Sequence, residues 1–464
     1  LHVLNCLLIY CLLRQYVSPT TALMGSVLFA THPIHTEAVT YISGRGEILM
    51  AFLLLSGTLL FLQSEKHRSW PLYVASLALF FFSLLSKETA VIFPLLLITA
   101  DLTAHPISSR REIPRRLVRQ IGPLVSLSLY FILRKFFVGI TLSGYGSPPP
   151  DFVHHLLLVL KAIPLYVGLL LLPWNLHFLH RIDPSTSPLD VQLLLAILLL
   201  VGAGWGLRYA MRSGNQAVLF AFLWFLLGLL PLVHFIGLNL PLLEGWIYLP
   251  SLGFFLLVAL GISRLQFWSP SRLHIWLALL IATLLGVVTL DRNEDWRDEM
   301  HISLHTNAAS PDDPVALRLW GNARFKRGRT YEAEKTFQKA VLIESQDPRL
   351  HESLGRLYSF FGRESEALAS YQRMRELTPK DPYPYWRLGR FYLRRRNFAE
   401  AENYFAKAAS LFPYSSELRN DLAQVYYLQG KLDAAEAEIR SALKILPRSP
   451  ILQDNLEQIL RRKG

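Results

Sequence analysis

The feature that most restricts this chain is a change of pattern near residue 290. Before it, long apolar runs succeed one another with only short polar breaks; after Asp291 the sequence is polar, charged and periodic. Apolar runs of this kind demand lipid or a helical bundle around them, whereas a fixed polar period describes stacked units of supersecondary structure. The 464 residues therefore read as all-α in two parts. A polytopic transmembrane helical bundle occupies 1–290 and a linker 291–313. Four helix–turn–helix repeats forming an α-solenoid occupy 314–449, with a capping helix at 450–464.

Apolar runs set against polar punctuation give spans near 1–17, 20–31, 46–63, 70–86, 89–101, 117–138, 189–207, 217–235, 249–266 and 274–290. The formal net charge is +12, and residues 1–290 hold 18 Lys and Arg against 10 Asp and Glu. Most of the basic excess thus sits in short loops of the membrane part, where it orients a bundle, and nucleic acid is not needed to explain it. The basic loops at Arg14, 65–68, 108–119, 208–212 and 264–272 face the cytoplasm on this reading. The loops 32–45, Lys87–Glu88, 139–152, 173–188 and 236–248 then face outward. A crossing at 152–174 would break that parity. Lys161 and Pro164 cut the segment in two, so a re-entrant or interfacial helix pair is expected there. The repeats then emerge on the non-cytoplasmic side of a multi-pass protein, in a bacterial inner membrane or, in a eukaryote, the endoplasmic reticulum.

The period of the second half is 34 residues. Trp320–Gly321, Leu354–Gly355, Leu388–Gly389 and Leu422–Ala423 align, as do Ala333, Ala367, Ala401 and Ala435, and then Phe337, Tyr371, Phe405 and Ile439. This is the tetratricopeptide pattern. Small and large residues interlock in such units, whose stack presents a surface for a peptide or protein. None of these positions reads as catalytic.

The chemistry gathers instead in "HPIHTEAVTYISGRGEIL", residues 32–49. Three readings stand side by side. His32 and His35 could cap a helix at the headgroup layer, with Pro33 in its first turn. His32, His35 and Glu37 could hold zinc, although H-x-x-H-x-E is not a zinc-protease spacing and no further ligand cluster is evident, so no metal is assigned. Or a helix from Ile34 could align Glu37, Tyr41 and Arg45 along one wall of a polar cavity, suited to a lipid-linked phosphate and a hydroxylated substrate.

That stretch resembles the signature of the transmembrane-and-tetratricopeptide (TMTC-type) glycosyltransferases of the GT-C superfamily. "LSKETAVIFPLLLITADL" at 85–102, "LEGWIYLPSLGF" at 243–254 and the repeats themselves add to the likeness, in family order. The resemblance implies a polyprenyl-phosphate sugar donor and no certain cofactor, with metal dependence open. It implies substrate-binding roles for His32, His35, Arg45, Lys87, Glu88, Glu244 and Tyr248. Glu37 and Glu47 are its catalytic candidates, Glu47 standing where the family more often has Asp. Gly245 replaces a usual basic residue. GT-C enzymes carry a key acid in the first external loop, so the main catalytic acid is expected upstream of Leu1 in an N-terminally truncated chain. The lack of an extra external segment points to a prokaryotic relative.

The function expected is O-mannosyltransferase-like: transfer from a polyprenyl-phosphate sugar to an acceptor, foremost a protein Ser or Thr hydroxyl, outside the cytoplasm. The repeats would bind the acceptor or a partner. An oligosaccharide ligase or polymerase would need a large Arg- and His-rich external loop, and 236–248 is short with neither. A membrane-anchored scaffold without activity would have no use for Lys87–Glu88 inside a membrane domain.

Overall fold

The computed structural model describes residues 1–107, 109, 112–138, 152–180, 182, 190–231, 242–267 and 272–464, and these divide into two compact units with the boundary between His305 and Thr306. The expected loops at 139–151 and 236–241, and Arg110 and Arg111, lie outside the described residues.

The first unit is helical. Its elements are α1 (His2–Leu13), α2 (Pro19–Thr31), the short α3 (Thr36–Thr40), α4 (Arg45–His67), α5 (Trp70–Ser86), α6 (Phe93–Ala104), α7 (Glu112–Val138), α8 (Phe152–Leu171), α9 (Val191–Ser213), α10 (Gln216–Gly228), α11 (Ser251–Ser263), α12 (Leu273–Asp295) and α13 (Glu299–Ala309). Four helices among the described residues are long and apolar enough to cross a bilayer: Arg45–His67, Glu112–Phe136, Val191–Ser213 and Leu273–Asp295. Apolar helices of ordinary span length need a solvent of their own kind, and the exposed Leu, Val and Trp side chains of α9 and α12 provide the lipid-facing surface. The core is built from α1, α2, α4, α5, α6, α10 and α11, with Phe29, Phe80, Phe93, Trp224 and Phe255 packed inside.

Polar residues collect at the two ends of this bundle. At one end Arg116 reaches Asp101 (3.4 Å) and Arg119 pairs with Glu65. At the other end lie the 32–44 turn, the end of α8, residues 176–180, 244–248 and the end of α12. Thr40 Oγ1 donates to Asn293 Oδ1 (2.9 Å) there, and His32 Nε2 donates to the Leu170 carbonyl (3.1 Å).

One local expectation is corrected. The segment 152–174 is not a broken pair: α8 runs unbroken past both Lys161 and Pro164. Lys161 does not force a break because its buried ammonium is paired with Asp190 (2.7 Å), the N-cap of α9. Within 291–313, the segment expected as the linker, α12 continues to Asp295 and α13 follows it.

The second unit is a stack of helix pairs in sequence order: α14 (Pro314–Lys326) with α15 (Thr330–Ile343), α16 (Pro348–Phe360) with α17 (Glu364–Leu377), α18 (Pro382–Arg394) with α19 (Phe398–Leu411), and α20 (Ser416–Leu428) with α21 (Leu432–Ile445). The helix α22 (Pro450–Lys463) closes it. Asp313, Asp347, Asp381 and Ser415 cap the first helix of each pair through backbone N–H groups. The core is repeated small against large: Gly321 faces Phe337, Gly355 faces Tyr371, and Gly389 faces Phe405.

Candidate functional site

The 32–44 motif is not the single helix expected from its spacing. After α2 the backbone extends at His32, makes a 3₁₀ turn over Pro33–His35, runs through α3, extends again at Tyr41 (φ −74°, ψ 127°), and makes a second 3₁₀ turn over Ile42–Gly44 before α4. Gly44 requires this compactness: a Cβ there would lie 2.8 Å from the carbonyl oxygens of both Glu37 and Ala38. Glu37, Tyr41 and Arg45 therefore do not share a face. The extended residue at Tyr41 breaks the register, and the signature residues separate into a buried group and a rim group.

The buried group holds His32, His35, Glu37, Glu244 and Tyr248. His32 accepts from the Ile34 N–H at Nδ1 (3.2 Å) while its Nε2 binds Leu170, so both ring nitrogens are used within the chain. His35 donates from Nδ1 to the Phe29 carbonyl (2.8 Å) and its Nε2 lies 3.0 Å from Ser251 Oγ. Burial pushes His32 down to about 4 and His35 well below the usual imidazole value, so both rings are neutral. They pin the turn to α8 and α11 rather than offering positive charge. Among the described residues no three His, Cys, Asp or Glu side chains converge as metal ligands.

Glu37 and Glu244 sit in adjoining surroundings of opposite effect. Glu37 Oε2 accepts the Gly245 N–H (2.8 Å). Burial, with the Glu244 charge nearby, pushes its carboxyl up to about 8. Glu244 is equally buried, and burial opposes its ionisation. It nevertheless titrates below the usual range, because Arg292 (2.7 Å) and His180 (3.0 Å) grip its two oxygens. Arg292 also donates to the Leu176 carbonyl (2.6 Å), and the backbones of His180 and Leu242 bond to each other in both directions (3.2 and 2.9 Å). Tyr248 Oη is reached by His2 Nδ1 (2.7 Å) and Asn5 Nδ2 (3.1 Å) from α1. Tyr41 packs between Phe178 and Trp296, with ring centroids 5.6 and 5.4 Å away.

The rim group holds Arg45, Glu47, Lys87 and Glu88. Lys87 is paired with Glu47; its side chain is 27% exposed while that of Glu47 is 6% exposed, so the ammonium is the reachable partner. Ser86 Oγ donates to the Gly46 carbonyl (3.0 Å) and ties the end of α5 to the start of α4. Glu88 meets Arg134 (3.5 Å), which also donates to Tyr130 Oη (2.7 Å). Arg45 is exposed and makes no bond to another side chain among the described residues. Three cations with two carboxylates thus line one edge, with Arg45 unneutralised.

Arg292, His180, Asn5, His2 and Arg134 belong to this end of the bundle and went unnamed by the sequence pattern. Arg292 left one signal: a lone arginine among acids at the polar end of an apolar run. The rest pair across distances in sequence that no local spacing encodes.

A family profile described as "Dolichyl-phosphate-mannose-protein mannosyltransferase" matches residues 1–133, and one described as "Tetratricopeptide repeat" matches residues 393–459. The chain is 25% identical over 394 residues to Protein O-mannosyl-transferase Tmtc3 of Drosophila melanogaster, covering 73% of this chain and 42% of that protein. Protein O-mannosyl-transferase F38B6.6 of Caenorhabditis elegans is 26% identical over 332 residues, 70% of this chain and 46% of its own. Protein O-mannosyl-transferase TMTC3 of Mus musculus is 26% identical over 396 residues, 74% of this chain and 41% of its own. The chain spans less than half the length of each of these relatives.

Proposed function

Because the chain belongs to the TMTC-type family of membrane glycosyltransferases in the GT-C superfamily, we propose that it transfers mannose from a polyprenyl-phosphate donor to a hydroxyl of a protein acceptor on the non-cytoplasmic side. The observation that carries this reading is the rim: an exposed, unpaired Arg45 beside a partly exposed Lys87 whose counter-charge is the buried Glu47. In the proposed step the acceptor oxygen attacks the anomeric carbon, the bond to the phosphate oxygen breaks with inversion, and polyprenyl phosphate leaves. Arg45 and Lys87 hold the phosphate and stabilise the charge that grows on it as it departs. Glu47, released from Lys87 as that lysine turns to the phosphate, takes the acceptor proton. Glu37 keeps Gly245, and with it the 244–248 turn, against α3; His32 and His35 hold the same turn region to α8 and α11. These are positioning roles. The repeats select the acceptor.

The test is transfer by the purified full chain in nanodiscs, from radiolabelled polyprenyl-phosphate mannose to a Ser/Thr-rich peptide. Arg45→Ala and Lys87→Ala should each lower transfer by roughly 10²-fold while the protein still reaches the membrane, the cost expected for removing one charge-stabilising donor. Transfer unchanged in both variants would overturn the assignment.

A further inference from the structure

The helix α9 packs against α8 and α10 and is long and apolar enough to cross a bilayer. Its outer face holds a groove of about 520 Å³ lined by Leu198, Val201, Gly202, Trp205, Gly206 and Tyr209. Positions 198, 202, 205 and 209 follow the spacing of three and four that keeps side chains on one side of a helix. A Cβ on Gly202 would meet nothing within 4 Å, so the groove is open there. A Cβ on Gly206 would strike the Phe222 ring, where α9 rests on α10.

At the end of the groove Arg208 and Arg212 are exposed, and neither makes a hydrogen bond or ion pair with another described residue. Arg208 stands seven residues after Val201 and Arg212 seven after Trp205, so both continue the lined face. Between residues 191 and 290 the sole acidic residue is Glu244, among the signature residues. The two arginines lie at the other end of the bundle, as the start of α10 shows. Phe220 stacks on Tyr16 (4.3 Å), and Tyr16 Oη donates to the carbonyl of Ala100 (3.0 Å), the neighbour of Asp101. Asp101 is the partner of Arg116 at the basic end. Charge at a bilayer boundary needs a counter-charge, and α9, α10 and the turn between them supply no carboxylate.

We propose that this face of α9 binds one anionic glycerophospholipid, with an acyl chain in the groove and the phosphate held by Arg208 and Arg212. Arginine offers its planar fork of N–H donors to phosphate oxygens. Trp205 and Tyr209, 78% and 56% exposed, are the amphipathic rings that settle at the headgroup boundary. Basic sites between membrane helices take anionic headgroups in the same way. Small residues in a span also invite a second copy of the helix. Charge opposes that occupant, since two parallel copies packed on this face would gather four guanidinium groups with no carboxylate. The site stands at the end opposite the rim of Arg45 and Lys87 and rests on no reading of sugar transfer.

The test is native mass spectrometry of the purified full chain in uncharged detergent, titrated with phosphatidylglycerol or with phosphatidylcholine of the same acyl chains. The wild type should take up one phosphatidylglycerol at least about tenfold more tightly than phosphatidylcholine, the equivalent of one charged contact. Arg208→Gln/Arg212→Gln should abolish that difference. Gly202→Leu fills the open groove with both charges intact, and should weaken phosphatidylglycerol about tenfold at unchanged Tm. Lys66→Gln/Arg68→Gln, which removes two exposed cations elsewhere at the basic end, should leave uptake as in the wild type. Equal uptake of the two lipids, a preference that survives the double arginine variant, full uptake by Gly202→Leu, or loss in the Lys66/Arg68 variant would overturn the proposal. So would displacement of phosphatidylglycerol by equimolar polyprenyl phosphate, or a dimer that Gly202→Leu dissociates.

Discussion

Glu37 and Glu244 are buried side by side, yet one is held protonated and the other ionised, because only Glu244 has a guanidinium and an imidazole on its oxygens. The difference has a pH signature. The Glu37 value of about 8 lies above that of an unfolded glutamate, so between the two the folded chain holds a proton the unfolded chain has released. The stability it contributes is full below the unfolded value and is lost as pH rises through about 8. Glu244 acts in the opposite sense, its contribution being lost only as pH falls below the usual carboxylate range, so it is silent at alkaline pH. Thermal unfolding in nanodiscs should therefore give a Tm several degrees lower at pH 9 than at pH 6. Glu37→Gln, whose amide oxygen still accepts from Gly245 and is never charged, should flatten that slope and leave the pH 6 value near wild type. A slope that persists in the variant would assign it elsewhere. The sequence made both glutamates legible as candidates, because charge within an apolar chain is conspicuous. It did not reveal which would be charged, since that depends on Arg292, 48 residues from Glu244.

At the level of elements, the clearest pattern lies in the repeats. Where the first helix offers glycine, at 321, 355 and 389, the second offers Phe337, Tyr371 and Phe405; where it offers Ala423, the second offers Ile439. The reason is contact: a Cβ on Gly355 would meet the Tyr371 ring at 2.6 Å, and one on Gly389 the Phe405 ring at 2.8 Å. Gly355→Ala should lower stability by about 1–3 kcal/mol through overpacking, and Tyr371→Ile in the same chain should restore part of that loss. Thermal unfolding of the two single variants and the double variant reads the coupling; additive losses would mean that the pair does not act as a unit. Periodicity makes these helices and their caps readable to within a few residues. The 32–44 turn, by contrast, reads as one helix from spacing alone, because an interval of four suits a helix and nothing local announces the extended Tyr41. The absent break at Lys161 has a related cause: a buried lysine looks disruptive until its partner Asp190 is known, 29 residues on.

For the whole molecule, sidedness rests on which segments meet. The 32–44 turn is bonded to the end of α8 through His32, to the 244–248 turn through Glu37, and to the end of α12 through Thr40. These four segments therefore lie at one end of the bundle, whereas Arg116 and Arg119 bind Asp101 and Glu65 at the other, where the basic loops gather. The chain leaves α12 at the end that carries the motif. Its next helix, α13, has 11 residues of sequence EMHISLHTNAA, too short and too polar to cross a hydrocarbon layer that takes about 20 apolar residues. The expected outcome is that the repeats share a compartment with the motif. Single cysteines at Ile42, in the motif, and at Tyr414, in the third repeat, test this in a chain whose Cys6 and Cys11 are replaced by alanine. In sealed right-side-out vesicles both should react with a membrane-impermeant maleimide, while a cysteine at His67, at the basic end, should react only after the vesicles are opened. Labelling of Ile42 and Tyr414 from opposite sides would require a further crossing between α12 and α14. It would also separate the repeats from the rim of Arg45 and Lys87, and a repeat domain in the other compartment could not deliver an acceptor to that rim.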